Sequence, residues 1–141
     1  MDKLLKELLS ETVALRFKAQ GYHWNIEGIN FQQFHELFSD IYNQYESGID
    51  SLAEWLRKLG FLAPSDLLSF YNDSTVTESI SGTNGLAMVT DLQNSNYLMI
   101  EKFSNAVDQA TEMKQHALAN FFAERMDAHQ KIEWQLTATT K

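Results

Sequence analysis

Apolar positions recur every three or four residues along most of the chain, the mark of helices that each bury one face. Leu4, Leu5, Leu8, Leu9, Ala14, Leu15 and Phe17 predict a first helix over Asp2–Trp24. Asn25-Ile-Glu-Gly28 then supplies turn chemistry, and Asn30 stands where it can cap the next helix. A second helix is predicted over Phe31–Leu59, on the stripe Phe31, Phe34, Phe38, Ile41, Tyr45, Ile49, Leu52, Leu56 and Leu59, with Gly60 in the C′ position. Phe61 to Gly85 holds Pro64, Gly82 and a Ser/Thr-rich run, and reads as a long crossover with a short helix capped by Ser65 and running through Tyr71. A third helix over Leu86–Thr111 is carried by Val89, Leu92, Met99, Phe103, Val107 and Ala110. A fourth, over Gln115–Ala138, is carried by Leu118, Phe121, Phe122, Met126, Ile132 and Leu136.

Two helical hairpins joined by one crossover make an all-α protein with the layout of a ferritin-like four-helix bundle. At 141 residues with 44% hydrophobic side chains, the chain is long enough for one core and short for two, so residues 1–141 are read as a single domain.

Composition narrows the chemistry. There is no cysteine, which rules out disulfides, thiolate metal sites and cysteine nucleophiles. Lys6, Glu7, Glu11 and Arg16 interrupt the amino-terminal apolar residues, so neither a signal peptide nor a membrane span is expected, and a soluble cytoplasmic protein is the default. A net charge of −8 argues against a polyanion partner and for cations.

Four ligand-type residues stand out: His23, His35, Asp50 and Glu54. Imidazole with carboxylate suits iron or another first-row divalent ion. Asp50 and Glu54 are one turn apart and share a helix face. His35, fifteen residues before Asp50, lies roughly 22 Å away along the helix axis at 1.5 Å per residue. One subunit cannot bring the two to one metal. If two copies of the second helix pack antiparallel across a twofold axis, His35 of one meets Asp50 and Glu54 of the other, and His23 can reach the same end. Of the remaining histidines, His116 reads as a surface residue, and His129, with Arg125 and Glu133 one turn to either side, as part of a polar network on the last helix.

The run HWNIEGINFQQFHELF, followed by YNQYESGIDSLAEWLRKLGFLAP, resembles the Dps proteins (DNA-binding proteins from starved cells), the twelve-subunit mini-ferritins. The likeness is dense from Tyr22 to Pro64. It implies that His23, His35, Asp50 and Glu54 form an intersubunit ferroxidase centre for iron, acting as both catalytic and metal-binding residues. It also implies a homododecamer built from twofold dimers, Fe(II) and hydrogen peroxide as substrates, and ferric mineral stored in a hollow shell. Trp24 is, in the resemblance, either an electron donor or an anchor of the subunit contact.

Three departures modify these expectations. Relatives usually carry an acidic residue one turn after the second histidine, where this chain has Ser39 with Asp40 on another face, so a weakly bound second iron is expected. DNA-coating relatives often carry a lysine-rich flexible arm, whereas here the first helix is expected to begin almost at Met1 with only Lys3 and Lys6 nearby, so DNA binding is expected to be weak or lacking. Where relatives place pore acids there are Gln115, His116 and Asn120, leaving Glu112, Glu124 and Asp127 as candidates to replace them. Two alternatives stay open: a DNA-condensing structural protein, and a passive metal-storage bundle without turnover.

Overall fold

A computed structural model describes all residues from Met1 to Lys141. It is all-helical: α1 (Asp2–Asn25), α2 (Phe31–Glu46), α3 (Ile49–Lys58), α4 (Leu67–Asp73), α5 (Gly85–Glu112) and α6 (His116–Thr139). α1 packs against α2 and α3, α5 packs against α6, and α4 lies over α1. The four long rods, counting α2 and α3 together, form the expected bundle with one crossover. No helix is long and apolar enough to cross a membrane.

The core is built from the expected stripes. Leu5, Leu8 and Leu15 of α1, Phe38, Ile41 and Tyr45 of α2, and Leu52 and Leu56 of α3 are fully buried against Leu92, Phe103, Phe122, Ile132 and Leu136 of the other hairpin. Each large side chain removed from water contributes on the order of 1.5–3 kcal/mol. Phe17 departs from its stripe: it is 63% exposed and sets its ring edgewise to that of Trp24, itself 58% exposed.

Local chemistry corrects three further expectations. The second helix is not continuous over Phe31–Leu59 but breaks at Ser47-Gly48, where the Gly48 N–H turns to the Tyr45 carbonyl instead of that of Gln44. Asn30 occupies the N-cap position of α2 without a side-chain capping bond. The crossover helix is capped by Asp66, whose carboxylate accepts from the Ser69 N–H and hydroxyl, and not by Ser65; an acidic cap also complements the helix dipole. The stop at Gly60 is as expected. With φ +91° it supports bonds from the Gly60 N–H to Arg57 and from the Phe61 N–H to Leu56.

Two buried polar clusters tie the crossover down. Glu11 accepts from the Thr75 and Val76 N–H groups and from the Ser74 and Thr75 hydroxyls, and pairs with Lys102. Burial works to raise the Glu11 pKa, yet the bonds from Lys102 and Thr75 hold it below the usual carboxylate value. Further along, Lys18 pairs with Asp91 at 2.7 Å and donates to Thr77 and Ser95, while Tyr22 donates to Asp91 and accepts from the Ile80 N–H.

Candidate metal centre

The corner between α1 and α2 brings His23 and His35 face to face. Their rings stack with centroids 3.7 Å apart and planes 14° from parallel. His23 Nδ1 lies 2.7 Å from the His35 carbonyl oxygen, and His35 Nδ1 lies 2.6 Å from the His23 carbonyl oxygen. A carbonyl oxygen can only accept, so each Nδ1 carries a proton and donates it. In the neutral ring this leaves a lone pair on Nε2, the form in which imidazole ligates a metal. Phe31 stacks on His35 at 4.9 Å, and Tyr42 sets its ring edgewise to His23 at 5.5 Å. Both imidazoles are half-buried and held in orientation from several sides.

Asp50 and Glu54 lie elsewhere, one turn apart on the exposed side of α3. The four ion pairs of the chain, Lys6–Asp2, Arg16–Glu46, Lys18–Asp91 and Lys102–Glu11, involve neither of them. Lys58, one turn beyond Glu54, holds its ammonium over the Trp55 ring, 4.2 Å from the centroid. The two carboxylates therefore have no cation of their own. Within one chain no three His, Cys, Asp or Glu side chains come close enough together to hold a metal. Each chain carries two separate pairs of metal-ligating residue types: imidazoles near one end of the α2–α3 rod and carboxylates toward the other.

Ser39 is half-buried one turn after His35, and Asp40 is exposed, so no carboxylate takes the place expected from relatives on that face. His116 is exposed, as are Glu112, Glu124 and Asp127.

His129 is wholly buried and belongs to the core, with a different partner from those expected one turn away. Its Nδ1 donates to Asn96 Oδ1 at 2.8 Å, which also accepts from the Tyr45 hydroxyl at 3.1 Å. Asn96 Nδ2 donates in turn to the His129 carbonyl and to Glu133. Burial, assisted by nearby Arg125, pushes the His129 pKa down to about 3, so the ring is neutral at ordinary pH. The sequence signal for this cluster was the unbroken polar run Gln93–Asn96, which interrupts the apolar stripe of an amphipathic helix. Phe31, expected in the core stripe, is 41% exposed and covers His35 instead; its spacing of four from His35 places the two rings on one face. Nothing in the sequence pointed to the two backbone carbonyls that fix the histidine tautomers.

A ferritin-like domain profile matches residues 2–141. Among relatives, the DNA protection during starvation protein of Brevibacillus brevis is 27% identical over 135 residues, covering 96% of this chain and 91% of its own. Dps from Thermosynechococcus elongatus superposes with a TM-score of 0.96 at 24% identity, over 99% of this chain and 89% of that one. The Vibrio cholerae O1 Dps protein, described as a member of a broad superfamily of ferritin-like diiron-carboxylate proteins, superposes with a TM-score of 0.95 at 22% identity, over 99% and 88% of the two chains.

Proposed function

The chain belongs to the ferritin-like family, in its Dps branch, and on that premise we propose that it is a ferroxidase and iron store whose centres form between subunits. One observation carries the reading. Two imidazoles oriented by their Nδ1–H bonds to backbone carbonyls, and two carboxylates without a cation, sit on one chain too far apart to share an ion.

A second copy, its α2–α3 rod antiparallel to the first across a twofold axis, brings His23 and His35 of each chain to Asp50 and Glu54 of the other, making two equivalent sites. The exposed apolar side chains Phe17, Trp24, Leu67, Leu68 and Tyr71 support such a contact, because a surface of this kind is costly to leave in water. Twelve copies built from such dimers enclose the storage cavity. Fe(II) is the substrate. Imidazole and carboxylate donors suit it, and the anionic carboxylates favour its higher charge state, easing loss of an electron. Hydrogen peroxide takes one electron from each of two ferrous ions and, with two protons, leaves as water. The net charge of −8 per chain draws cations inward and opposes DNA, in keeping with a cytoplasmic iron store.

Complementation tests this. Chains carrying His23→Ala and His35→Ala, and chains carrying Asp50→Ala and Glu54→Ala, should each be inactive in peroxide-driven Fe(II) oxidation. Dissociated and reassembled together, half of the dimers are mixed, and each mixed dimer has one intact site, so roughly a quarter of the wild-type rate should return. No recovery from a verified mixed assembly would sink the intersubunit site. Metal uptake without turnover in the wild type would instead favour passive storage.

A further inference from the structure

The break between α2 and α3 falls between the two ligand pairs: His35 lies before it, and Asp50 and Glu54 lie after it. Ser47 (φ −60°, ψ −18°) and Gly48 (φ −94°, ψ −13°) keep right-handed helical dihedrals, so the chain passes the break without unravelling. Because the Gly48 N–H bonds to Tyr45, the Gln44 carbonyl loses its usual helical donor. Arg125 of α6 replaces it. Its Nη2 donates to the Gln44 carbonyl at 3.1 Å and its Nη1 to Ser47 Oγ at 3.3 Å, while the Ser47 hydroxyl also donates to Gln44 at 2.7 Å.

The fit of glycine to this arginine is close. A Cβ at position 48 would stand 2.5 Å from Arg125 Nε and 2.6 Å from Cζ, well inside contact distance. Arg125 is only 8% exposed, none of the chain's ion pairs includes it, and its Nε has no hydrogen-bond partner. Burying a cation this way is expensive, and a packed apolar side chain would serve the core better. What the guanidinium does that an apolar group cannot is tie α6 to the break, donating to the Gln44 carbonyl beside the Ser47 hydroxyl and to Ser47 Oγ.

We infer that Arg125, seated against Gly48, sets the angle between α2 and α3 and so fixes the separation of the histidine pair from the carboxylate pair: it is a positioning residue for the metal centre. The inference rests on the intersubunit reading above. The place of the break along the rod makes its angle consequential. Glu54 lies six residues past Gly48, about 9 Å of helix, so a 10° change at the break moves it by roughly 1.5 Å. Metal–ligand distances are held to about ±0.2 Å. In a twofold assembly the error occurs at both centres.

The test uses the assembled protein and Co(II) alone as the probe, with Fe(II) oxidation as a second readout. Arg125→Met keeps volume without the donors, and Gly48→Ala adds one methyl group against the guanidinium. Each should retain helical content and subunit number, weaken Co(II) binding at least tenfold and shift the Co(II) absorption bands. The double variant should be little worse than either single one, since both break the same contact. Arg125→Lys, which can still reach the Gln44 carbonyl, should recover part of the affinity. A merely structural role would lower the melting temperature of these variants and leave Co(II) affinity and spectrum as in the wild type. That outcome in Gly48→Ala, or in a folded Arg125→Met, overturns the inference while His35→Ala still abolishes binding. If the wild type binds no Co(II) that His35→Ala removes, the underlying site reading fails, and this inference with it.

Discussion

His23 and His35 hold each other through main-chain atoms: each ring donates to the backbone carbonyl of the other residue. Truncating one side chain therefore leaves the other ring its acceptor. His23→Ala and His35→Ala should each change unfolding free energy by no more than ~1–2 kcal/mol, the cost of one hydrogen bond and part of a stack. Iron oxidation should nevertheless fall by at least tenfold. Denaturant titration beside a stopped-flow assay separates the two effects, and a stability loss that scales with the activity loss would contradict a ligand role.

Ser39 stands one turn past His35 on the half-buried side of α2. Ser39→Asp should place a further carboxylate beside the imidazole pair and raise the number of tightly bound Fe(II) ions per centre, measured by anaerobic titration. If the wild type already binds two ions per centre equally tightly, the serine imposes no deficit.

Acid should loosen the bundle through His129. Its folded pKa of about 3 lies below the unfolded value near 6.5, so between these values the unfolded chain binds the extra proton and stability falls as pH falls. The contribution is fully present above pH ~6.5 and decays toward pH 3 at up to ~1.4 kcal/mol per pH unit. His129→Gln removes the titrating ring, and although less stable at pH 7 it should show a shallower decline from pH 6.5 to 4. Parallel slopes in denaturant titrations at matched protein concentration would count against His129 as the responsible group.

Glu11→Ala should cost ~2–4 kcal/mol, because the Thr75 and Val76 N–H groups lose their acceptor; Lys102 reaches solvent, which keeps the figure below that for a fully buried pair. The damage should be local. Limited proteolysis should cut first near Ser74–Ile80, and cleavage elsewhere at wild-type rates together with an intact crossover would argue against Glu11 as the anchor.

The long stripes were legible because each is repeated over many turns, and burial of Phe38, Ile41, Leu92 and Phe122 follows directly from spacing. That His23 and His35 do not meet Asp50 and Glu54 within one chain was legible from their register along the helix. The break at Ser47-Gly48 was not, since Gly48 in an amphipathic run carries no sign of the arginine 77 residues later that occupies the space of its missing Cβ. Phe17 was misjudged for a related reason: periodicity finds an apolar face without saying whether this chain or another covers it. His129 shows the same limit from the other side, because its decisive partner Asn96 is distant in sequence.

The crossover anchors have a bearing on how copies of the chain meet. Leu67, Leu68 and Tyr71 face outward on a segment already fastened from beneath by Glu11 and followed by residues held by Lys18 and Tyr22. A copy that docks there meets a surface whose conformational entropy was lost when the single chain folded, so little ordering remains to oppose association. Assembly should then proceed close to rigid-body docking, fast and with a small structural change, which would suit the proposed centres because they form only when two chains touch.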